Sequence, residues 1–186
     1  GGDQPKPEPD LSSIDKWENG EVVHEEGWTT PKEGTKTFTP KLPVGAYRAV
    51  VETEDPFGKK VTAMATFQVI DPDAQKFGIR IPNFLGSPIH AVEPGKEYTA
   101  VWGTGYAKGR VFIEVEHRGK VVQGYWTAPG RTQVQIRQKV IESMRGGFTV
   151  RVTFVRENRA YLNSRQVDVP WTNKNLNVRW ERFTSK

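Results

Sequence analysis

The sequence predicts an all-β protein built from antiparallel β-sandwiches in tandem. Apolar side chains occur at every second position in several segments, most clearly in 111–115 and 148–154, and this is the period of a half-buried strand. Eighteen glycines and 13 prolines favour a turn-rich β protein over a helical one. Because no helical pattern of about 10–15 residues separates the strands, we do not expect parallel βαβ units.

The clearest element is a β-hairpin between residues 110 and 127. Val111, Ile113 and Val115 form the apolar face of its first strand, and residues 121–126 form the second strand. The polar link between them contains Gly119, a residue type that readily adopts the positive φ of a tight turn. An isolated hairpin is barely stable in water, so further strands must pack on it.

We expect a complete seven-stranded β-sandwich over residues 77–172, with about seven strands at the spacing that is typical of antiparallel sandwiches. The strands are expected at 79–81, 98–102, 111–116, 121–126, 134–136, 148–154 and 161–169. One helical turn is expected within 141–146.

Residues 14–71 are expected to form a smaller β unit with about four strands. Two strong candidates, 47–53 and 61–69, flank a short turn, and two weaker ones lie at 21–24 and 35–39. A free-standing sandwich of this type needs about seven strands. We therefore interpret residues 14–71 as the C-terminal part of a first β-sandwich. An atypically small β domain is the alternative interpretation.

The remaining segments are interpreted as flanks and linkers. Residues 1–13 are rich in Pro and Asp and contain almost nothing to bury, which is typical of a flexible lead-in. Residues 72–76 are interpreted as a linker between the two units. In residues 173–186 a second linker precedes alternating apolar and polar residues, which predicts the first strand of a following domain.

The composition argues against several classes of partner and site. The formal charge of +5 comes from 27 basic and 22 acidic residues that are interspersed, as on a solvated surface, so we expect no nucleic-acid partner. The chain has no cysteine, which excludes disulfides, cysteine–metal sites and a cysteine nucleophile. No apolar run approaches about 18 residues, so we expect no membrane span.

The polar residues show no pattern that is typical of a catalytic or metal site. His24, His90 and His117 lie in different predicted elements and form no His-x-x-x-His pair. Glu114 and Glu116 occupy alternate positions of one strand, which is the ordinary solvent face of a sheet rather than a glycosidase pair.

Two glycines at 103 and 105 superficially resemble a phosphate loop. The dinucleotide fingerprint needs a third glycine and a following helix, and the Walker motif needs Gly-Lys-Ser/Thr. Here a predicted strand follows instead, so the glycines are interpreted as part of a bulge or turn. The sequence therefore predicts no catalytic, cofactor-binding or metal-binding residue, and we expect no enzyme activity.

The aromatic residues divide into two candidate surfaces. One interpretation of Trp102, Tyr106, Tyr125 and Trp126 is an exposed aromatic surface, which could bind a sugar together with Tyr98. The competing interpretation places these rings in the core and at domain contacts, and we favour it because both consume aromatics readily. Packing between neighbouring domains is predicted for the residues that flank the two linkers, Phe77, Trp171 and Trp180.

An ordered series of motifs resembles one protein family. The motifs are 42–48 (LPVGAYR), 52–55 (ETED), 57–60 (FGKK), 93–95 (EPG), 102–106 (WGTGY), 116–120 (EHRGK), 144–148 (MRGGF) and 169–174 (VPWTNK). Over about residues 17–186 the series is similar to successive macroglobulin-type domains of large bacterial alpha-2-macroglobulin-like proteins.

The resemblance implies a string of immunoglobulin-like or fibronectin III-like sandwiches that serves as the scaffold of a broad-spectrum protease trap. In that family a protease cuts a bait segment, the scaffold rearranges, and the protease is enclosed. The family's thioester cannot lie in this chain, because it has no cysteine. The implied partners are neighbouring domains of the same chain and, through the full-length protein, target proteases. The implied location is secreted, periplasmic or at the cell surface.

Two rival functions stay open at this stage. A ligand- or carbohydrate-binding sandwich of a secreted or surface adhesin-type protein would have the same fold. A contiguous exposed aromatic patch would favour that binder, whereas aromatics buried at domain junctions would favour the scaffold. An enzyme would require a concave polar pocket with perturbed carboxylates.

Overall fold

The computed structural model describes residues 13–29 and 35–171 and is almost entirely β in that range. The strands are β1 (Gly45–Glu54), β2 (Lys60–Val69), β3 (Phe84–Gly86), β4 (Glu97–Gly103), β5 (Val111–His117), β6 (Lys120–Trp126), β7 (Gln133–Lys139), β8 (Phe148–Arg156) and β9 (Arg159–Val167). Two short 3₁₀ turns, Ile14–Lys16 and Glu142–Met144, are the helical elements of the described residues. All pairings between these strands are antiparallel, so the predicted all-β antiparallel class is confirmed.

Strands β3 to β9 form two sheets that pack on each other as a β-sandwich. One sheet has the strand order β3-β4-β7 and the other β6-β5-β8-β9. Alternate residues of the second sheet point inward; Val111, Ile113 and Val115 of β5 are buried, and so are alternate residues of β8. Burial of one face of each strand stabilises this register, because a one-residue slip would expose the entire apolar set.

Trp102 lies at the centre of the core. Its side chain is fully buried, its ring packs edge-on against Phe154 with the centroids 5.5 Å apart, and its Nε1–H donates to Asn83 Oδ1 at 2.8 Å. A buried indole N–H needs such a partner. The interpretation of Trp102 as part of an exposed aromatic surface is therefore wrong, and the favoured interpretation as a core residue is confirmed, because Tyr98, Ala100 and Trp102 share the inward face of β4.

Tyr98 illustrates the opposite situation, a buried polar atom without a partner. Its hydroxyl is fully enclosed and makes no hydrogen bond within the described residues. An unsatisfied buried hydroxyl costs free energy. We expect Tyr98→Phe to raise the free energy of unfolding by about 1 kcal/mol, as measured by urea denaturation. A loss of stability would contradict this expectation and show that the hydroxyl has a partner in solution.

The unit before the sandwich differs from its prediction. Among residues 14–29 and 35–71, the strands are β1 and β2, which form a two-stranded sheet, whereas residues 21–24 and 35–39 are irregular and exposed. The strands predicted at those two segments are wrong for the described structure. A short, charged segment gains little by becoming a strand unless a sheet edge and an apolar face receive it.

The start of the sandwich also differs from its prediction. Ile79 and Ile81 are buried but lie in irregular backbone, and the first strand, β3, begins later at Phe84. Pro82 follows directly and lacks the N–H that a strand ladder needs. The strand expected within 173–186 lies outside the described residues.

Candidate functional site

At each of the two ends of the sandwich, buried side chains form hydrogen bonds to the connecting chain, and glycines let its backbone approach closely. At the first, here called the linker end, residues 72–76 join the β1–β2 hairpin to the sandwich. A separate apolar cluster lies there, with a buried centre of Phe77, Ile79 and Ile81. Packed against that centre are residues of both units, Ile14, Trp17, Ala46, Ile70 and Phe84. Phe77, predicted to pack between domains, thus lies where the hairpin unit and the sandwich meet.

Hydrogen bonds tie the linker to the sandwich at this end. The side chain of Gln133, which is 2% exposed, donates from Nε2 to the carbonyl of Asp71 at 2.6 Å. The amide of Phe77 donates to Thr132 Oγ1 at 3.0 Å. The amides of Thr132 and Gln133 donate to the Gln75 carbonyl at 3.1 and 3.2 Å. Buried polar groups that are satisfied in this way fix one geometry, so the linker has a defined path.

Two glycines let the incoming chain lie directly on the sandwich. A Cβ atom at Gly103 would come within 2.3 Å of the Phe77 ring, and one at Gly105 within 2.7 Å of the Arg80 Cα. The Gly105 amide also donates to the Ile81 carbonyl at 2.8 Å. The two glycines therefore form a groove for residues 77–81, which accounts for the motif that superficially resembles a phosphate loop.

Arg48 ties the first 3₁₀ turn to the hairpin. Its guanidinium donates to the carbonyls of Asp15 and Trp17, each at 3.0 Å, and to Asn19 Oδ1. Asp15 in turn accepts a hydrogen bond from Thr66 Oγ1 at 2.7 Å. The segment of residues 14–19 is therefore held against the face of the hairpin that carries Arg48 and Thr66.

At the opposite end of the sandwich, Arg145 holds the departing chain. Its guanidinium donates to both carboxylate oxygens of Glu142, at 2.7 and 3.0 Å, and to the Pro170 carbonyl. A carboxylate oxygen of Glu93 lies 3.6 Å away. The hydrogen bond with Glu142 raises the pKa of Arg145. Such bidentate pairing fixes the orientation of the planar guanidinium.

The two glycines that follow Arg145 let the departing chain, residues 167–171, pack directly against their backbone. The Gly146 amide donates to the Val169 carbonyl at 2.9 Å. Gly147 has a φ of +102°, and a Cβ there would lie 2.6 Å from the Val167 carbonyl oxygen. Trp171, predicted to pack between domains, lies beside Gly146 and is 57% exposed. Trp180, the other such residue, lies outside the described residues.

The chain therefore joins the sandwich at one end and departs at the other. Shortly before β4 begins, the Val92 amide donates to the carbonyl of Asp168 in the departing chain at 2.9 Å, and β4 ends at Gly103 under the linker. Seven residues of strand separate the two ends by about 20 Å. The points where the described chain joins and leaves the sandwich therefore lie at its opposite ends.

The other members of the predicted aromatic surface do not form one exposed patch. Tyr106 and Tyr125 are half-buried, and only Trp126 is largely exposed, at 52%. The Tyr106 and Tyr161 hydroxyls share a hydrogen bond of 2.9 Å, which raises the pKa of Tyr106. Burial raises the pKa of Tyr125. Trp126 instead faces the outside of the four-stranded sheet.

Sequence reasoning did not identify the polar residues that fix the two ends. Thr132 and Gln133 lie just before the predicted strand 134–136 and were assigned no role, because their burial depends on a distant linker. The Gln133–Asp71 hydrogen bond joins residues 62 positions apart. Arg145 was part of a noted motif, but its partner Pro170 is 25 positions away.

A small cleft lies beside the linker. It has a volume of about 150 Å³ and is lined by Pro72, Asp73, Ala74, Gln75, Arg131, Gln133, Val134 and Gln135. Ligand pockets usually enclose about 300–1,000 Å³. Among residues 13–29 and 35–171, no three histidine, aspartate or glutamate side chains converge as a metal site would require.

Comparison with protein-family models and with curated proteins gives no significant match. In the described part of the chain, no helix has the length and apolar character needed to cross a membrane.

Proposed function

We propose that this chain is a non-catalytic scaffold segment that holds neighbouring domains at fixed angles. The observation that carries the proposal is the path of the chain. It joins the sandwich at the linker end and departs from the opposite end, and buried side chains hold it at both places. Domains joined by ordinary linkers usually move relative to each other. Anchors of this kind restrict that motion.

We infer that residues 77–172 form a domain of the fibronectin III-like or immunoglobulin-like type. The chain changes sheets after β4, after β6 and after β7, so three strands lie in one sheet and four in the other. Greek-key connections of this kind are common in such sandwiches. Arrangement of these domains in tandem is part of the proposal.

The β1–β2 hairpin supports the interpretation of residues 14–71 as the C-terminal part of another sandwich. On one face, Tyr47, Ala49 and Val51 lie opposite Phe67, Ala65 and Ala63. Val51 and Phe67 are 47% and 37% exposed. A two-stranded sheet with an apolar face is marginally stable by itself, so the proposal includes a second sheet that covers this face.

We further propose that the scaffold belongs to an alpha-2-macroglobulin-like protease trap. The support is the ordered series of motifs, since two of them, 102–106 and 144–148, contain the glycines and the arginine that fix the two ends of the sandwich. On this proposal the partners are neighbouring domains and, through the full-length protein, target proteases. The protein would act outside the cytoplasm, at a secreted, periplasmic or cell-surface location.

A distance measurement tests the scaffold role. Because the chain has no cysteine, the double variant Thr62→Cys/Gln123→Cys can carry two spin labels, one on β2 and one on β6. We expect a narrow distance distribution between the labels by pulsed electron paramagnetic resonance. Gln133→Leu removes the hydrogen bond to Asp71 and is expected to broaden the distribution about twofold or more.

The matched control for Gln133→Leu is Gln166→Leu, at an exposed position of β9. It is expected to leave the distribution unchanged. A distribution that is already broad before any further substitution would contradict a fixed angle between the hairpin unit and the sandwich.

A separate experiment tests the trap role and uses the full polypeptide in which this segment occurs. Incubated with an endopeptidase, that polypeptide is expected to block cleavage of a large protein substrate while cleavage of a small peptide substrate continues. Equal loss or equal retention of both activities would refute the trap and leave the scaffold role to be judged by the distance measurement.

A further inference from the structure

Asn19 is followed by a glycine and lies in exposed, irregular backbone. It is the only one of the chain's seven asparagines that forms an Asn-Gly pair. Both residues are exposed, and nothing lies within 4 Å of the Cβ position of Gly20. The Gly20 amide donates no backbone hydrogen bond to another described residue. Because glycine has no side chain and a permissive backbone, its nitrogen can reach the neighbouring carboxamide.

The other described asparagines lack this combination of features. Asn83 Oδ1 accepts the indole N–H of buried Trp102 at 2.8 Å. Asn163 lies within β9, where the Ser164 amide donates to Asn163 Oδ1 at 2.9 Å. Asn158 lies in the exposed turn before β9, but a residue with a long side chain follows it. Exposure, free backbone and a following glycine therefore coincide at Asn19.

We propose that Asn19 is a site of spontaneous deamidation, a modification that places a carboxylate beside Arg48. The Gly20 nitrogen attacks Cγ of Asn19, and the new C–N bond closes a five-membered imide. The bond from Cγ to Nδ2 breaks, and Nδ2 leaves as ammonia with a proton in exchange for the one that the Gly20 nitrogen loses. Water then opens the imide at either carbonyl, which leaves aspartate or isoaspartate. The ring closure is favourable because the reacting groups are neighbours in the chain.

Arg48 gives this modification a structural consequence. Its guanidinium donates to Asn19 Oδ1 and to the carbonyls of Asp15 and Trp17, so it ties residues 14–19 to β1. A carboxylate at this position converts a neutral acceptor into a charged one, and charge-assisted hydrogen bonds are stronger than neutral ones. The aspartate product therefore holds the segment more tightly, whereas isoaspartate lengthens the main chain by one carbon. The inference does not depend on the scaffold role or on the protease trap.

Peptide mapping by mass spectrometry tests the site after incubation of the full chain at mildly alkaline pH. We expect the peptide that contains Asn19 to gain the mass difference between an amide and an acid, and an isoaspartate methyltransferase to label it. Asn158 is the internal control, exposed but without a following glycine, and is expected to react about tenfold more slowly. Gly20→Val is expected to slow the reaction about tenfold, because a β-branched side chain crowds the backbone nitrogen. The variant should fold, since the Cβ position is open.

Asn19→Asp reproduces the aspartate product and tests the contact with Arg48. We expect the midpoint temperature of thermal unfolding to rise by about 1–2 °C at low ionic strength and by less in high salt. In the Arg48→Gln background the same substitution is expected to give no gain. A gain that persists without Arg48 would contradict the ion pair. The modification site itself is overturned if Asn19 keeps its amide, if Asn158 reacts as fast, or if Gly20→Val reacts at the original rate.

Discussion

Gly147→Ala is expected to lower the free energy of unfolding by about 3 kcal/mol, the largest effect of the substitutions considered for this chain. Two costs add at this position. The backbone has a φ of +102°, where a side chain is strained, and the new Cβ would lie 2.6 Å from the Val167 carbonyl oxygen. The backbone cannot easily move, since Phe148 pairs with Val167 and His117 Nδ1 lies 2.8 Å from the Gly147 oxygen.

Gly130→Ala separates the two costs. Gly130 has a φ of +88° but nothing within 4 Å of its Cβ position, so only backbone strain applies. We expect a loss of about 1 kcal/mol there. Urea denaturation of both variants measures the difference. Equal losses would show that crowding against Val167 has no cost and that the departing chain is not tightly held.

Alternation in the sequence predicted the strands whose two faces differ most. Strands β5 and β8 place every second residue in the core, and burial of one face enforces that pattern over their whole length. Strands β1 and β2 were predicted for the same reason, although the structure leaves much of their apolar face exposed. Period-2 pattern therefore identifies a strand but not what covers it.

The errors of prediction concern residues whose state depends on distant partners. Ile79 is buried like a strand residue, yet it lies in irregular backbone over Gly105. Trp102 and Trp126 both occur near the ends of strands, and one is fully buried while the other is half-exposed. Alternation places Trp102 on the same face of β4 as Tyr98, but only the folded sheet shows that this face is buried.

The candidate site was less predictable than the fold. The groove at Gly103 and Gly105 exists because glycine has no side chain. The sequence does not distinguish such a groove from a turn, since turns also favour glycine. Likewise the role of Arg145 depends on the position of Pro170, which only the folded sheet defines. The residues that determine how domains are joined are thus the ones that local pattern describes least.

The groove at the linker end gives the second large effect. Gly105→Ala is expected to lower the free energy of unfolding by about 2 kcal/mol. A Cβ there would lie 2.7 Å from Arg80 Cα and 2.8 Å from the Ile79 carbonyl oxygen. These are backbone atoms, which cannot rotate away as the end of a side chain can. Relief would therefore require residues 79–81 to move off the sandwich.

This displacement distinguishes Gly105→Ala from an ordinary destabilising substitution. Because residues 79–81 connect to the linker, the distance distribution between labels of the Thr62→Cys/Gln123→Cys pair should broaden as stability falls. Gly27→Ala is the control: nothing lies within 4 Å of its Cβ position, so stability should change by less than about 0.5 kcal/mol. If Gly105→Ala lost stability but kept a narrow distribution, the groove would support the sandwich without setting the angle of its neighbour, and the scaffold proposal would lose its physical basis.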